Sequence, residues 1–261
     1  MDLERVQRVA ISAAYKGAEI LQSYFGNITR IEKKGVIDLV TEADVNSENR
    51  IVATIREAFP DHTILAEESG LEKGTQDYAW LVDPLDGTTN FAHRLPIFCI
   101  SIAFAIGSDI RVGIVLNPVS GELFTASRDE GAKLNGKPIE VSSTAGVTNS
   151  LLVTGFPYNV REVFEPIITR YASCLRASQG IRRLGSAALD LCYVACGRFE
   201  GFWEQNLKPW DTAAGSLIAA EAGGCVTDFS NRRFQVDAKE ILATNGKIHD
   251  EMLALLRLED N

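Results

Sequence analysis

Apolar side chains recur at Leu3, Val6, Val9, Ala10, Ala13, Gly17, Ile20, Leu21 and Tyr24. That is the spacing of one helix face, and Gly26-Asn27 predicts where the helix stops. A second helix is predicted from about Asp44 to Phe59, ending before Pro60. Extended runs follow at 63–66, 79–82, 99–106, 112–116 and 122–126, and Asn135-Gly136 is a hairpin signal. From about residue 145 the pattern alternates. A strand over Ser150–Thr154 precedes helices near Arg161–Leu175 and over Ser186–Cys196, the latter closed by Gly197. A strand over Phe199–Trp203, a helix over Asp211–Glu221, strands over Cys225–Asp228 and Ile241–Thr244 and a helix finishing near Leu256 complete the chain. Helices, then a run of strands, then alternation imply an α+β (mixed α/β) fold. The change of texture divides it into an N-terminal lobe, 1–145, and a C-terminal α/β lobe, 146–261, with a seam near Ser142–Gly146.

The longest apolar run, Ile97–Gly107, falls well short of the roughly 20 residues that span a bilayer as a helix. The N-terminus is charged and amphipathic, without the apolar core of a secretion signal. No membrane partner is expected. Apolar residues make up 46% and charged residues 23% of the 261, a balance that excludes disorder. The five cysteines are odd in number and mostly in apolar company, which predicts free thiols and a cytoplasmic location. A net charge of −9 argues against direct nucleic-acid binding. That charge is concentrated: residues 61–90 hold Asp61, Glu67, Glu68, Glu72, Asp77, Asp83 and Asp86 against Lys73 alone. Carboxylates crowded in this way repel unless they are solvated or share cations.

Asp83-Pro84-Leu85-Asp86-Gly87-Thr88-Thr89-Asn90 follows the apolar run 79–82, so Asp83 is placed at a strand end, with Gly87 permitting a tight turn. Asp83 and Asp86 can then converge, and Thr88-Thr89 would open a short helix whose free amides face the same point. Hard oxygen ligands beside an anion site suit Mg²⁺ and a phosphate. Taken alone, a D-x-x-D turn is more often solvated or a helix cap, and Asp211 in Lys208-Pro209-Trp210-Asp211 reads locally as an N-cap. Glu67, at the end of the run 63–66, adds a further strand-edge acid, and the set is better explained together. Other phosphatase chemistries fail on spacing. There is no D-x-D and no P-loop frame. Cys192 and Arg198 have C-x₅-R spacing, but the intervening residues continue an apolar helix. The three histidines, His62, His93 and His249, lack metal-pair spacing.

Glu67-Glu68-Ser69, Asp83 through Phe91 and Trp210-Asp211 resemble the signature blocks of the inositol monophosphatase family of magnesium-dependent, lithium-sensitive sugar phosphatases. The resemblance extends to Asp38–Asp44 and to Glu221-Ala222-Gly223-Gly224, and Arg182–Asp190 with Gly201–Glu204 is most similar to the bacterial branch. It implies a layered αβαβα sandwich and a homodimer. It also implies Mg²⁺, two or three ions, held by Glu67, Asp83, the Leu85 carbonyl, Asp86 and Asp211. Asp44 and Thr88 would orient the attacking water, with Glu67 counted among the catalytic groups, and the Gly87 and Thr88 amides would cradle phosphate. Gly185, Ser186, Ala187, Glu204 and Asp211 would line the polyol pocket. The implied substrate is an inositol monophosphate. Gly155-Phe156-Pro157-Tyr158 departs from the animal relatives and keeps fructose 1,6-bisphosphate, histidinol phosphate and nucleotide 3′-phosphates as alternatives. A non-catalytic binding protein is disfavoured by the retained acids.

Overall fold

The computed structural model describes residues 1–27, 31–33 and 39–258; Asp38, which belongs to the upstream part of the resemblance, lies outside them. In chain order the elements are α1 (Leu3–Tyr24), β1 (Ile31–Lys33), β2 (Leu39–Thr41), α2 (Glu42–Ala58), β3 (Thr63–Ala66), β4 (Gly70–Glu72), β5 (Tyr78–Asp86) and α3 (Thr88–Ala92). β6 (Cys99–Ile106), β7 (Asp109–Asn117), β8 (Glu122–Ser127), β9 (Ala132–Leu134) and β10 (Lys137–Ile139) follow. The remainder is β11 (Leu151–Thr154), α4 (Phe164–Ala177), β12 (Gly180–Arg182), α5 (Ala187–Ala195), β13 (Gly201–Gln205), α6 (Pro209–Glu221), β14 (Cys225–Thr227), β15 (Glu240–Thr244) and α7 (His249–Leu256).

Two mixed sheets carry the chain. The larger runs β10-β9-β8-β7-β6-β5-β3-β4, antiparallel except between β3 and β5. The smaller runs β12-β11-β13-β15-β14. Apolar alternation gives each sheet two faces to bury. The apolar faces of α1 and α2 pack on one side of the large sheet, around Trp80, Ile100, Phe104 and Ile114. Its other side meets α6 and α5 through Ala103, Val115, Phe124, Leu189 and Leu217. α5 then buries Leu191 and Val194 against Val153, Phe202 and Ala243 of the small sheet. The outer side of that sheet is covered by α4 and α7 through Cys174, Met252 and Leu256. Helices, sheet, helices, sheet, helices: the predicted αβαβα layering is what forms.

Several elements differ from their sequence limits for local reasons. α2 begins at Glu42 because Thr41 is its N-cap and Asp44 the third helical residue of a capping box. α6 begins at Pro209, which suits a first helical position, so Asp211 is a third-position residue and not the N-cap. β13 lies two residues later than predicted, placing Glu204 inside the strand opposite Ile241. β5 does not end before Asp83; it continues to Asp86 through a register shift, with Asp83 opposite Ser101 and Asp86 opposite Cys99.

Candidate active site

That shift sets the geometry. Regular strand residues three apart point to opposite faces. Here three steps along β5 match two along β6, so one residue is bulged out and both aspartates turn to the same side. Gly87, at φ 100°, then reverses the chain into α3; a Cβ there would meet the Ile97 carbonyl oxygen at 2.9 Å. β3 runs parallel to β5 and delivers Glu67 beside them, its amide donating to the Val82 carbonyl at 3.1 Å. Gly113 of β7 lets α6 press close, since a Cβ would lie 2.8 Å from the Ala214 carbonyl oxygen, and this brings Asp211 to the same place.

Apart from Asp44, every residue predicted for the site borders one cavity of about 260 Å³. Asp44 stands directly behind Thr88, whose hydroxyl is 3.2 Å from its Oδ1. Hydrogen bonds pin one oxygen of each aspartate. Leu85 N donates to Asp83 Oδ1 at 2.9 Å and Lys208 N to Asp211 Oδ2 at 2.7 Å. Asp86 Oδ2 accepts from Ser186 Oγ at 2.8 Å and Ala188 N at 2.7 Å, with the Cys99 thiol 3.8 Å away. A residue 102 positions away thus takes the place of the N-cap side chain that Ser186 does not supply to α5. Ser186 borders the cavity as predicted, but its buried hydroxyl is committed to Asp86.

None of Asp83, Asp86 and Asp211 forms an ion pair with a described residue. Burial, reinforced by Glu67, Asp86 and Asp211, pushes the Asp83 carboxyl well above the usual range. Asp211 is pushed up by burial and then by Asp86, while the hydrogen bonds of Asp86 oppose its own desolvation. As they stand, no three His, Cys, Asp or Glu groups among the described residues meet at metal-ligand distance. Buried hard oxygens lacking a protein cation are a donor set that fits divalent cations.

Asp44 is buried and raised from 3.8 to about 6 by desolvation, against the pull of its bonds from Thr41 N (2.8 Å) and Thr41 Oγ1 (2.6 Å). Thr88 Oγ1 also lies 3.1 Å from the Leu85 carbonyl, so one hydroxyl proton serves two acceptors. Across the cavity, burial lifts Glu204 to about 8, with Asp211 adding and Arg183 opposing. Gly155 makes room for this carboxyl; a Cβ there would sit 2.0 Å from Glu204 Oε2.

Further residues contribute that the sequence pattern did not single out. Glu48 of α2 accepts from Glu68 N and Ser69 N, each at 2.7 Å, and so holds the loop that carries Glu67. Arg183 borders the cavity with its guanidinium 5.8 Å from the Phe156 ring, and Lys208 borders it too. Asn90 ties α3 to the Leu184 carbonyl at 2.8 Å. Asp190 of α5 is buried with neither carboxyl oxygen hydrogen-bonded, and desolvation raises it well above the usual range. Asp44 entered through the resemblance, whereas Glu48 looks like an ordinary helix residue in the sequence and Asp190 was quoted there without a role. The rejected alternatives stay rejected. Cys192 is buried in α5 and its thiol is pushed up by burial, Arg198 pairs with Glu122, and His62 and His249 hydrogen-bond in the interior.

Comparison with known proteins fits this geometry. The chain is 46% identical over 254 residues to the inositol-1-monophosphatase of Synechocystis sp., covering 96% of this chain and 88% of that one. It is 42% identical to Nus factor SuhB of Escherichia coli K12, covering 96% and 95%. Among solved structures, an inositol monophosphatase from Anabaena superposes with a TM-score of 0.89 at 43% identity, over 98% of this chain and 96% of that one. The extragenic suppressor protein suhB of Bartonella henselae gives 0.94 at 37%, over 98% and 100%. Residues 2–259 match the family's own profile, and with the acids, the bulge and the layered sheets all in place the chain belongs to the inositol monophosphatase family of phosphatases.

Proposed function

We propose that this phosphatase hydrolyses an inositol monophosphate with Mg²⁺ held by Glu67, Asp83, the Leu85 carbonyl, Asp86 and Asp211. The observation that supports it is buried Asp83 beside half-buried Asp86 and Asp211, none with an ion-pair partner among the described residues, around a cavity that also presents a helix start. Bound there, the ions neutralise phosphate charge and acidify the attacking water. The chain itself supplies position and proton handling. Thr88 can turn its O–H to donate to the Leu85 carbonyl instead, which leaves Asp44 Oδ1 open to accept a proton from water. First-turn amides of α3 lack partners within the helix and face the phosphate. Glu204, with its carboxyl near neutral pH, hydrogen-bonds a polyol hydroxyl and sets selectivity. Asp86→Asn and Asp211→Asn are each expected to lower phosphate release from inositol 1-phosphate by about a hundredfold or more at saturating Mg²⁺. Turnover within a few-fold of the parent sinks the assignment. A panel adding fructose 1,6-bisphosphate and histidinol phosphate, with and without Li⁺, separates the alternative substrates.

A homodimer is proposed on a different observation. Phe164, Ile168 and Leu175 lie on one face of α4 and are exposed by 50%, 37% and 49%. Leu175→Asp should convert the dimer to monomer in light scattering; an unchanged mass refutes this interface. The free cysteines support a reducing, cytoplasmic setting. The net charge of −9 continues to disfavour direct nucleic-acid contact.

A further inference from the structure

A second cavity, of about 170 Å³, opens at the far end of α6 from the active site. Ten residues of helix, about 15 Å, separate Asp211 from Glu221. Ile110, Leu217, Val226, Phe234 and Val236 give it an apolar floor, and Arg128 and Arg233 stand at its walls. These guanidiniums are poorly satisfied. Among the described residues Arg233 pairs only with Asp109, at 3.5 Å, and its side chain is 77% exposed. The Arg128 guanidinium is 3.6 Å from Glu221 and, among the described residues, hydrogen-bonds only the Ile110 carbonyl, at 3.2 Å. Arg111 shares the same Asp109 at 3.5 Å, with its buried Nε unpartnered. Elsewhere the chain shows how tightly such a pair can close: Arg232 Nε lies 2.7 Å from Asp228. Three arginines facing two distant carboxylates leave donors for an external anion, and planar guanidiniums suit phosphoryl oxygens.

We propose that this cleft binds a small aryl phosphate or phosphonate, its anionic group on Arg128 and Arg233 and its ring against Phe234 and Leu217. Asp109 competes for the Arg233 guanidinium. Calorimetric titration of the metal-free protein with phenylphosphonate tests this against three variants. Arg233→Gln should weaken binding by about tenfold or more, the worth of a charge-assisted hydrogen bond. Asp109→Asn should tighten it, and Asp211→Asn should leave it unchanged. Arg233 is exposed and Asp109 half-buried at the surface, and melting curves check that the variants fold. Absence of saturable binding to the wild type, equal affinity in Arg233→Gln, or loss of binding in Asp211→Asn overturns the proposal.

Discussion

Asp86 carries two duties with one carboxylate: it turns an edge toward the cavity and, through Oδ2, closes the open start of α5. The Ser186 hydroxyl is the side chain that fixes its rotation. Ser186→Ala should therefore weaken apparent Mg²⁺ affinity by about tenfold, as loss of an outer-shell partner does. Ser186→Thr should restore it, and Mg²⁺ dependence of phosphate release is the measurement. Glu204 gives a pH prediction. Its carboxyl titrates at 4.5 ordinarily and at about 8 in the fold, so between these values the unfolded chain ionises first. Metal-free stability must fall as pH rises through this window. Glu204→Gln should flatten that part of the melting-temperature profile; an unchanged slope contradicts the burial. At this scale Glu67, Asp86 and Asp211 were legible in the sequence because each sits near a strand or helix terminus, whereas Asp83 lies inside β5, beyond the strand end that the sequence suggested. The direction of the Ser186 hydroxyl and the grip of Glu48 on Glu68 and Ser69 were not, because their partners lie far away in sequence.

Among the elements, the bulge in β5 and the close seat of α6 matter most to the site. Gly113→Ala puts a methyl 2.8 Å from a backbone carbonyl of α6, which neither side can yield cheaply. It should cost about 1–3 kcal/mol, as overpacking does, and weaken Mg²⁺ dependence by displacing Asp211. Denaturant unfolding and Mg²⁺ titration measure the two effects. The long helices and central strands follow directly from apolar period. β1, β2, β4, β9, β10 and β12 are three residues each, too short to show a period, and only their neighbours create them. The start of α4 at Phe164, later than predicted, agrees with Pro166 in its first turn, where no backbone donor is required.

Across the whole molecule the α5–α6 layer is shared, packed on the large sheet by one side and on the small sheet by the other. The layering was readable from the alternation of elements once the resemblance supplied their order. The distal cleft was not, since its two arginines, Arg128 and Arg233, come from segments more than a hundred residues apart. Because Asp86 meets α5 across 102 residues, and Asp211 comes later still, the ribosome makes half of the site long before the other half exists. The proposed cation site is accordingly complete only when the chain is.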